Sequence, residues 1–189
     1  MMEKRAGATD LANQGNRLVG YAAVYGPLSE DLGGFRERVA PGAFRRDLES
    51  DRDIRALLDH DTAKVLGRRA NGTLTLESDE RGLRVDIRPP EGVTYSEDLK
   101  KLVARGDINQ MSFGFMVRKD GDEWERMEDG TRLRILNDLE LVEVSVVTIP
   151  AYPDTSVALR ALHRVETEWR ARGLWVVKHR LAPIVRPGK

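Results

Sequence analysis

The sequence predicts a mainly β fold with peripheral helices (α+β), built as an antiparallel, nearly closed β-barrel of about seven strands. Three observations predict it. Apolar residues recur at every second position in several short runs, as at Leu83, Val85 and Ile87, which is the period of a strand with one buried face. The runs succeed one another through segments rich in Gly, Pro, Asp and Ser, so neighbours in sequence are expected to pair as hairpins. Only two or three segments carry a helical pattern, too few to alternate with every strand.

Taken in order, RLVGYAAVY (17–25) is short, aromatic and β-branched and predicts a strand, and GPLSEDLGGF after it predicts a loop. Phe35 to Val39 predicts a second strand, Pro41-Gly42 a turn, and Ala43 to Leu48 a helical turn. Ile54 to Leu58 is a compact apolar run that delivers Asp59-His60-Asp61. Leu74/Leu76 and Leu83/Val85/Ile87, separated by SDERG, predict an antiparallel hairpin that Pro89-Pro90 stops. Ser96, followed by Glu97-Asp98 and then Leu99, Leu102 and Val103, predicts a helix capped by the serine and ended at Gly106. Three further strands are expected at Gln110–Lys119, at Arg132–Leu136 and at Leu139–Ile149, the last terminated by Pro150.

A chain of 189 residues, 40% hydrophobic and 33% charged, can bury one substantial core and is expected to be a soluble globule. Thirty-one Lys/Arg balance 31 Asp/Glu, and the weak mean field argues against a dedicated nucleic-acid binder. The absence of cysteine excludes disulfides, thiolate metal sites and cysteine nucleophiles. No apolar run approaches the roughly 18 residues of a membrane span, and the opening MMEKRAGATDLANQGN lacks the apolar stretch of a secretory signal. No membrane partner is expected.

The chain divides into a flexible N-terminal segment (1–16), a folded domain (17–158) and a basic C-terminal helix and tail (159–189). Residues 160–189 hold eight Lys/Arg and two Asp/Glu, a net of +6 that leaves −6 for the rest. Leu159, Leu162, Val165 and Trp169 have helical spacing, while Gly173, Pro183 and Pro187 break any helical pattern in the last residues. Such a segment either closes the core through its apolar side or serves as a dispensable appendage for targeting or self-cleavage.

Three residues are polar where the pattern asks for something apolar or featureless. In QMSFGFMV (110–117), Met111, Phe113, Phe115 and Val117 share one face, which leaves Ser112, Gly114 and Met116 on the other. Glycine there lets another backbone approach, so Ser112 is expected on an open stretch of wall, along a strand edge that an extended peptide could join. His60 ends the apolar run before it. Histidine, with an unperturbed pKa of about 6.5, can accept a hydroxyl proton and return it at neutral pH. Asp59 and Asp61 flank it but point away from it if the segment is extended. His163 and His179 lie in the basic tail, no two histidines have metal-ligand spacing, and neither metal nor cofactor is expected. In LELVEVSVVTIP (139–150), strict alternation puts Glu143 and Ser145 on one face with Leu139, Leu141, Val147 and Ile149. A carboxylate on that face needs a partner. Glu140, nearer the strand start, is the second choice for an acidic role, and Ser145 is expected to be inert. A histidine, a serine and a carboxylate on separate strands can supply base, nucleophile and orienter for acyl transfer, although sequence order alone carries no geometry.

The early GYAAVYG, RVAPGAF (38–44), LLDHD (57–61), INQMSFGF (108–115) and LELVEVSVVTIPAYPDT (139–155) together resemble the prohead (capsid-maturation) proteases of tailed phages, from about Leu18 to about Ser156. The resemblance implies a serine endopeptidase similar in fold to the herpesvirus assembly protease. Such an enzyme digests scaffold and capsid-protein segments, and itself, inside the immature capsid in the host bacterial cytoplasm. On this resemblance Ser112 matches the nucleophile, His60 the general base and Glu143 the acidic third member, with Glu140 as the alternative. The partners implied are peptide substrates and a further copy or copies of the chain in a homodimer or higher oligomer. Two other readings stay open: a noncatalytic capsid-assembly or scaffold protein of the same fold, and an unrelated barrel that binds a ligand.

Overall fold

A computed structural model describes residues 2–7 and 11–148. Ile149 and the whole segment from Leu159 to Lys189, with its expected helix, His163 and His179, lie outside the described residues. Among the described residues no helix is long and apolar enough to cross a membrane.

The chain begins with β1 (Glu3–Gly7), β2 (Ala12–Asn13), β3 (Leu18–Val24) and β4 (Phe35–Val39), then a short helix α1 (Arg45–Leu48). β5 (Arg55–Leu58), β6 (Asp61–Arg68), β7 (Leu74–Ser78) and β8 (Gly82–Ile87) precede the longer helix α2 (Thr94–Arg105). β9 (Gln110–Val117), β10 (Asp122–Arg126), β11 (Arg132–Leu136) and β12 (Leu139–Val147) complete the described chain. Residues 1–16, read from the sequence as a flexible lead-in, thus supply two strands.

These strands form three open sheets, in the orders β1-β9-β12-β5-β6, β10-β11-β4 and β2-β3-β8-β7. The nearly closed barrel of about seven strands is therefore not formed. Sheet termini are short or polar: β2 has two residues, β10 reads Asp-Glu-Trp-Glu-Arg, and the first half of β6 is largely exposed. Charge and brevity of this kind end a sheet rather than recruit another strand to its edge. Hairpin logic also misses the pairings that organise the molecule. β1 pairs with β9 from far away in sequence, and β12 with β5 and β11 with β4 run parallel.

Local patterns predict the elements better than they predict closure. The hairpin of β7 with β8 is antiparallel, as the alternation of Leu74, Leu76, Leu83, Val85 and Ile87 requires, and all five side chains are buried. Helix α2 ends at Gly106 in the left-handed conformation, with φ +83°. Its N-cap, however, is Val93, and Ser96 lies buried in the first turn instead of capping it. The core is aromatic where the sheets meet: Phe113 stacks on Phe115 with centroids 5.1 Å apart and takes the edge of Phe44 at 5.4 Å.

Two local features set the positions of the polar residues. The first is a β-bulge in β12, where the register against β9 passes from Leu141↔Phe115 to Glu143↔Gly114. One extra residue, Val142, reverses the alternation. Leu139 and Leu141 face the core before the bulge, Val144 and Val146 after it, and Glu143 and Ser145 lie on the opposite face, beside Ser112 and Gly114. The expectation that Glu143 and Ser145 share a face with Leu139 and Leu141 is thereby corrected. Polar groups pin the bulge: the Leu141 amide donates to buried Asp47 of α1 at 2.5 Å, and Arg52 donates to the Leu141 carbonyl at 3.1 Å.

The second is a buried charge network that fastens β1 in place. Arg5 Nε donates to Glu37 at 2.7 Å and Arg5 Nη2 to Glu3 at 2.8 Å, while Arg134 reaches Glu3 at 2.9 Å, Glu37 at 3.2 Å and Asp122 at 2.8 Å. Burial alone would lower the Arg134 pKa, but the carboxylates of Glu37 and Glu3 more than offset it and hold the guanidinium above its ordinary range. β1 consequently covers one side of β9 while β12 covers the other. The Ser112–Gly114 strand is not a free edge, and Ser112 is fully buried rather than standing on an open wall.

Candidate active site

His60 is positioned by its turn. Leu58 pairs with Asp61, so Asp59 and His60 form a two-residue loop, and both have positive φ, 51° and 58°. Positive φ at both central residues marks the mirror-image turns that suit the twist of a β-hairpin; in non-glycine residues it is uncommon and costs free energy. The segment is thus not extended. Asp59 stabilises the turn against the end of β12, its amide donating to the Val146 carbonyl at 2.9 Å. The Asp59 carboxylate accepts the Thr148 amide at 2.8 Å and the Thr148 hydroxyl at 3.0 Å. Asp61 accepts from the Ala63 amide and pairs with Lys64. Neither flanking aspartate bonds the His60 ring.

The imidazole instead meets Glu143. His60 Nδ1 lies 2.7 Å from Glu143 Oε1, with both side chains nearly enclosed. A carboxylate oxygen accepts from the ring nitrogen that meets it, and in the neutral imidazole whose Nδ1 donates, Nε2 is the acceptor. Nε2 is buried and has no hydrogen-bond partner among the described residues. Glu143 reaches this position over Gly114: a Cβ at residue 114 would sit 2.5 Å from Oε1. The gap opened by glycine is filled by the carboxylate, not by a second backbone.

Ser112 and Ser145 are directly opposed across β9 and β12, on the face that carries Glu143. The Ser112 hydroxyl donates to the Arg5 carbonyl at 2.7 Å. The Ser145 hydroxyl donates to Glu143 Oε2 at 2.5 Å. Glu140 lies elsewhere, opposite Met116, where it is bound by Arg52 at 2.5 Å and Arg118 at 3.7 Å. Of the residues the sequence singles out, His60 and Glu143 are in contact, Ser112 lies on the same sheet face, and Glu140 is removed from them. Sequence reasoning misses the hydrogen bond of Ser145 to Glu143, because no local pattern separates Ser145 from a filler residue on a strand. The chemistry available to this set is that of a carboxylate-oriented imidazole whose carboxylate shares a sheet face with two buried hydroxyls.

Comparison of the sequence shows that the chain belongs to the caudovirus prohead serine protease family, whose model matches residues 3–168. It is similar to the prohead protease of Enterobacteria phage HK97, at 29% identity over 151 residues, which make up 78% of this chain and 62% of that protein. The chain therefore spans less than two thirds of the curated relative it matches. No solved structure gives a significant match.

Proposed function

We propose that this protein is a serine endopeptidase of phage prohead maturation, with Ser112 as nucleophile, His60 as general base and Glu143 as the residue that orients the base. The observation that carries the reading is the contact of His60 Nδ1 with Glu143, on the sheet face that holds Ser112, which leaves a buried Nε2 without a partner among the described residues. His60 Nε2 removes the Ser112 proton as the oxygen attacks a scissile carbonyl, and returns it to the leaving amine. Water, activated by the same nitrogen, then releases the acyl group. For this the Ser112 hydroxyl must leave the Arg5 carbonyl, a release that rotation about its one side-chain bond allows. The substrates proposed are scaffold and capsid-protein segments, and the chain itself, within the immature capsid; the family and the name of the phage relative support this.

The test is fluorophosphonate labelling of the purified chain followed by peptide mapping, with Ser112→Ala as comparison. A single adduct on Ser112, and no processing of co-expressed capsid and scaffold proteins by Ser112→Ala, is the expected result. Absence of any adduct, with no processing by the unaltered chain either, would transfer the protein to the noncatalytic assembly role, whereas unchanged processing by Ser112→Ala would remove the nucleophile assignment.

A further inference from the structure

Glu143 offers two oxygens, and the triad accounts for one. Oε1 is used by His60, while Oε2 is held at 2.5 Å by the hydroxyl of Ser145. A hydroxyl that donates to a carboxylate makes a charge-assisted hydrogen bond, among the stronger that proteins make. Ser145 is fully buried, Glu143 is nearly so, and Ser145 faces Ser112 across the strand pair. A carboxylate enclosed to this degree and bound through one oxygen only would be free to turn about its terminal bond, since that torsion is broad.

We infer that Ser145 is a positioning residue for the reaction: its hydroxyl locks the Glu143 carboxylate so that Oε1 stays on His60 Nδ1. The inference rests on the proposed roles of Ser112, His60 and Glu143. The bond fixes which nitrogen of His60 carries the proton, and so keeps Nε2 able to accept one. Two neighbours complete the fixture. The absence of a side chain at Gly114 leaves the volume that Glu143 occupies, and the bulge at Val142 turns Glu143 and Ser145 together toward β9. Position i and position i+2 on one strand then act as a unit, with the acid and its lock on the same face.

The experiment compares steady-state peptide cleavage by the full chain with that of Ser145→Ala, Ser145→Thr and Ser112→Ala, with melting temperature measured for each. Ser145→Ala is expected to lower kcat about ten- to a hundredfold, the size of a lost hydrogen bond to a charged group, at nearly unchanged KM. Ser145→Thr, which keeps the hydroxyl on the same carbon, is expected to recover most of the loss. A lower melting temperature with unchanged kcat per fluorophosphonate-titrated site would overturn the inference, since the hydroxyl would then serve stability alone. An adduct mapped to Ser145 would also overturn it, by making Ser145 the nucleophile. Retained cleavage by Ser112→Ala, with the Ser145→Ala loss still rescued by threonine, would remove the nucleophile assignment while leaving Ser145 as the lock of Glu143.

Discussion

Gly114 shows how one missing side chain shapes the site. Its added Cβ would meet Glu143 Oε1 at 2.5 Å and Cδ and Cγ at 3.3 Å, so the carboxylate must move off the partners that hold it, His60 and Ser145. Gly114→Ala should therefore lower the melting temperature, since the displaced, nearly buried carboxylate loses hydrogen bonds, yet leave the chain folded. The displaced carboxylate should nevertheless cost about tenfold or more in turnover, because a small misplacement of catalytic groups is expensive. Differential scanning calorimetry beside peptide-cleavage kinetics checks both halves. The two acids give a second expectation: Glu143→Gln should lower kcat about 10²- to 10⁴-fold by presenting the wrong partner to Nδ1, whereas Glu140→Gln, with its arginines on another part of the strand, should cleave normally. The opposite ranking would move the acidic role to Glu140. At this scale residue types are legible, because a lone histidine after an apolar run and a glutamate within a β-rich stretch stand out. Reach is not: alternation says which way a Cβ points, and cannot say that Glu143 leans across a neighbouring strand or that Ser145 binds it there.

The element that decides the site is the bulge of β12, and the residue that holds it is distant in sequence. Asp47 accepts the Leu141 amide through one carboxylate oxygen and is bonded by Arg118 through the other. Asp47→Ala removes both bonds. The loss is expected to be about 1–3 kcal/mol of stability, the cost of leaving buried donors unpaired. Turnover should fall further than stability explains, because relaxation of the bulge turns Glu143 and Ser145 away from Ser112. Cleavage measured well below the melting temperature separates the two effects; normal kcat in a destabilised Asp47→Ala protein would show that Asp47 does not position the acid. Most elements of the central chain are readable from period and punctuation, among them β4, the β7–β8 hairpin and the Gly106 end of α2. The bulge is not, since Leu-Val-Glu contains no glycine to mark it and a strict period of two runs through it undisturbed. β6 and β10 escape detection for a related reason: their exposed and charged residues carry little alternation.

Across the whole molecule, strands that lie far apart in sequence are joined by charge as well as by apolar packing. MMEKRAGATDLANQGN has no apolar period, and so reads as a loose leader; its first strand is seated by the alternation of Glu3 and Arg5 against Glu37 and Arg134. That complementarity is invisible without the sheet order, as is the open arrangement of the three sheets, which depends on pairings β1–β9, β5–β12 and β4–β11 that no local pattern encodes. The network makes a specific demand. Arg5→Met leaves Glu3, Glu37 and Asp122 around Arg134 alone, and an uncompensated buried charge costs about 3–5 kcal/mol. For a domain of this size that corresponds to a drop of about 10 °C in melting temperature. Glu37→Gln in the same chain removes the surplus negative charge that Arg5→Met exposes, so the double variant should be more stable than Arg5→Met and its losses far from additive. Because the Arg5 carbonyl also receives the Ser112 hydroxyl, any variant that loosens β1 should alter cleavage along with stability. Thermal unfolding of the two single variants and the double variant completes the cycle, and strictly additive losses would show that β1 is held by its strand pairing with β9 and not by the charges beneath it.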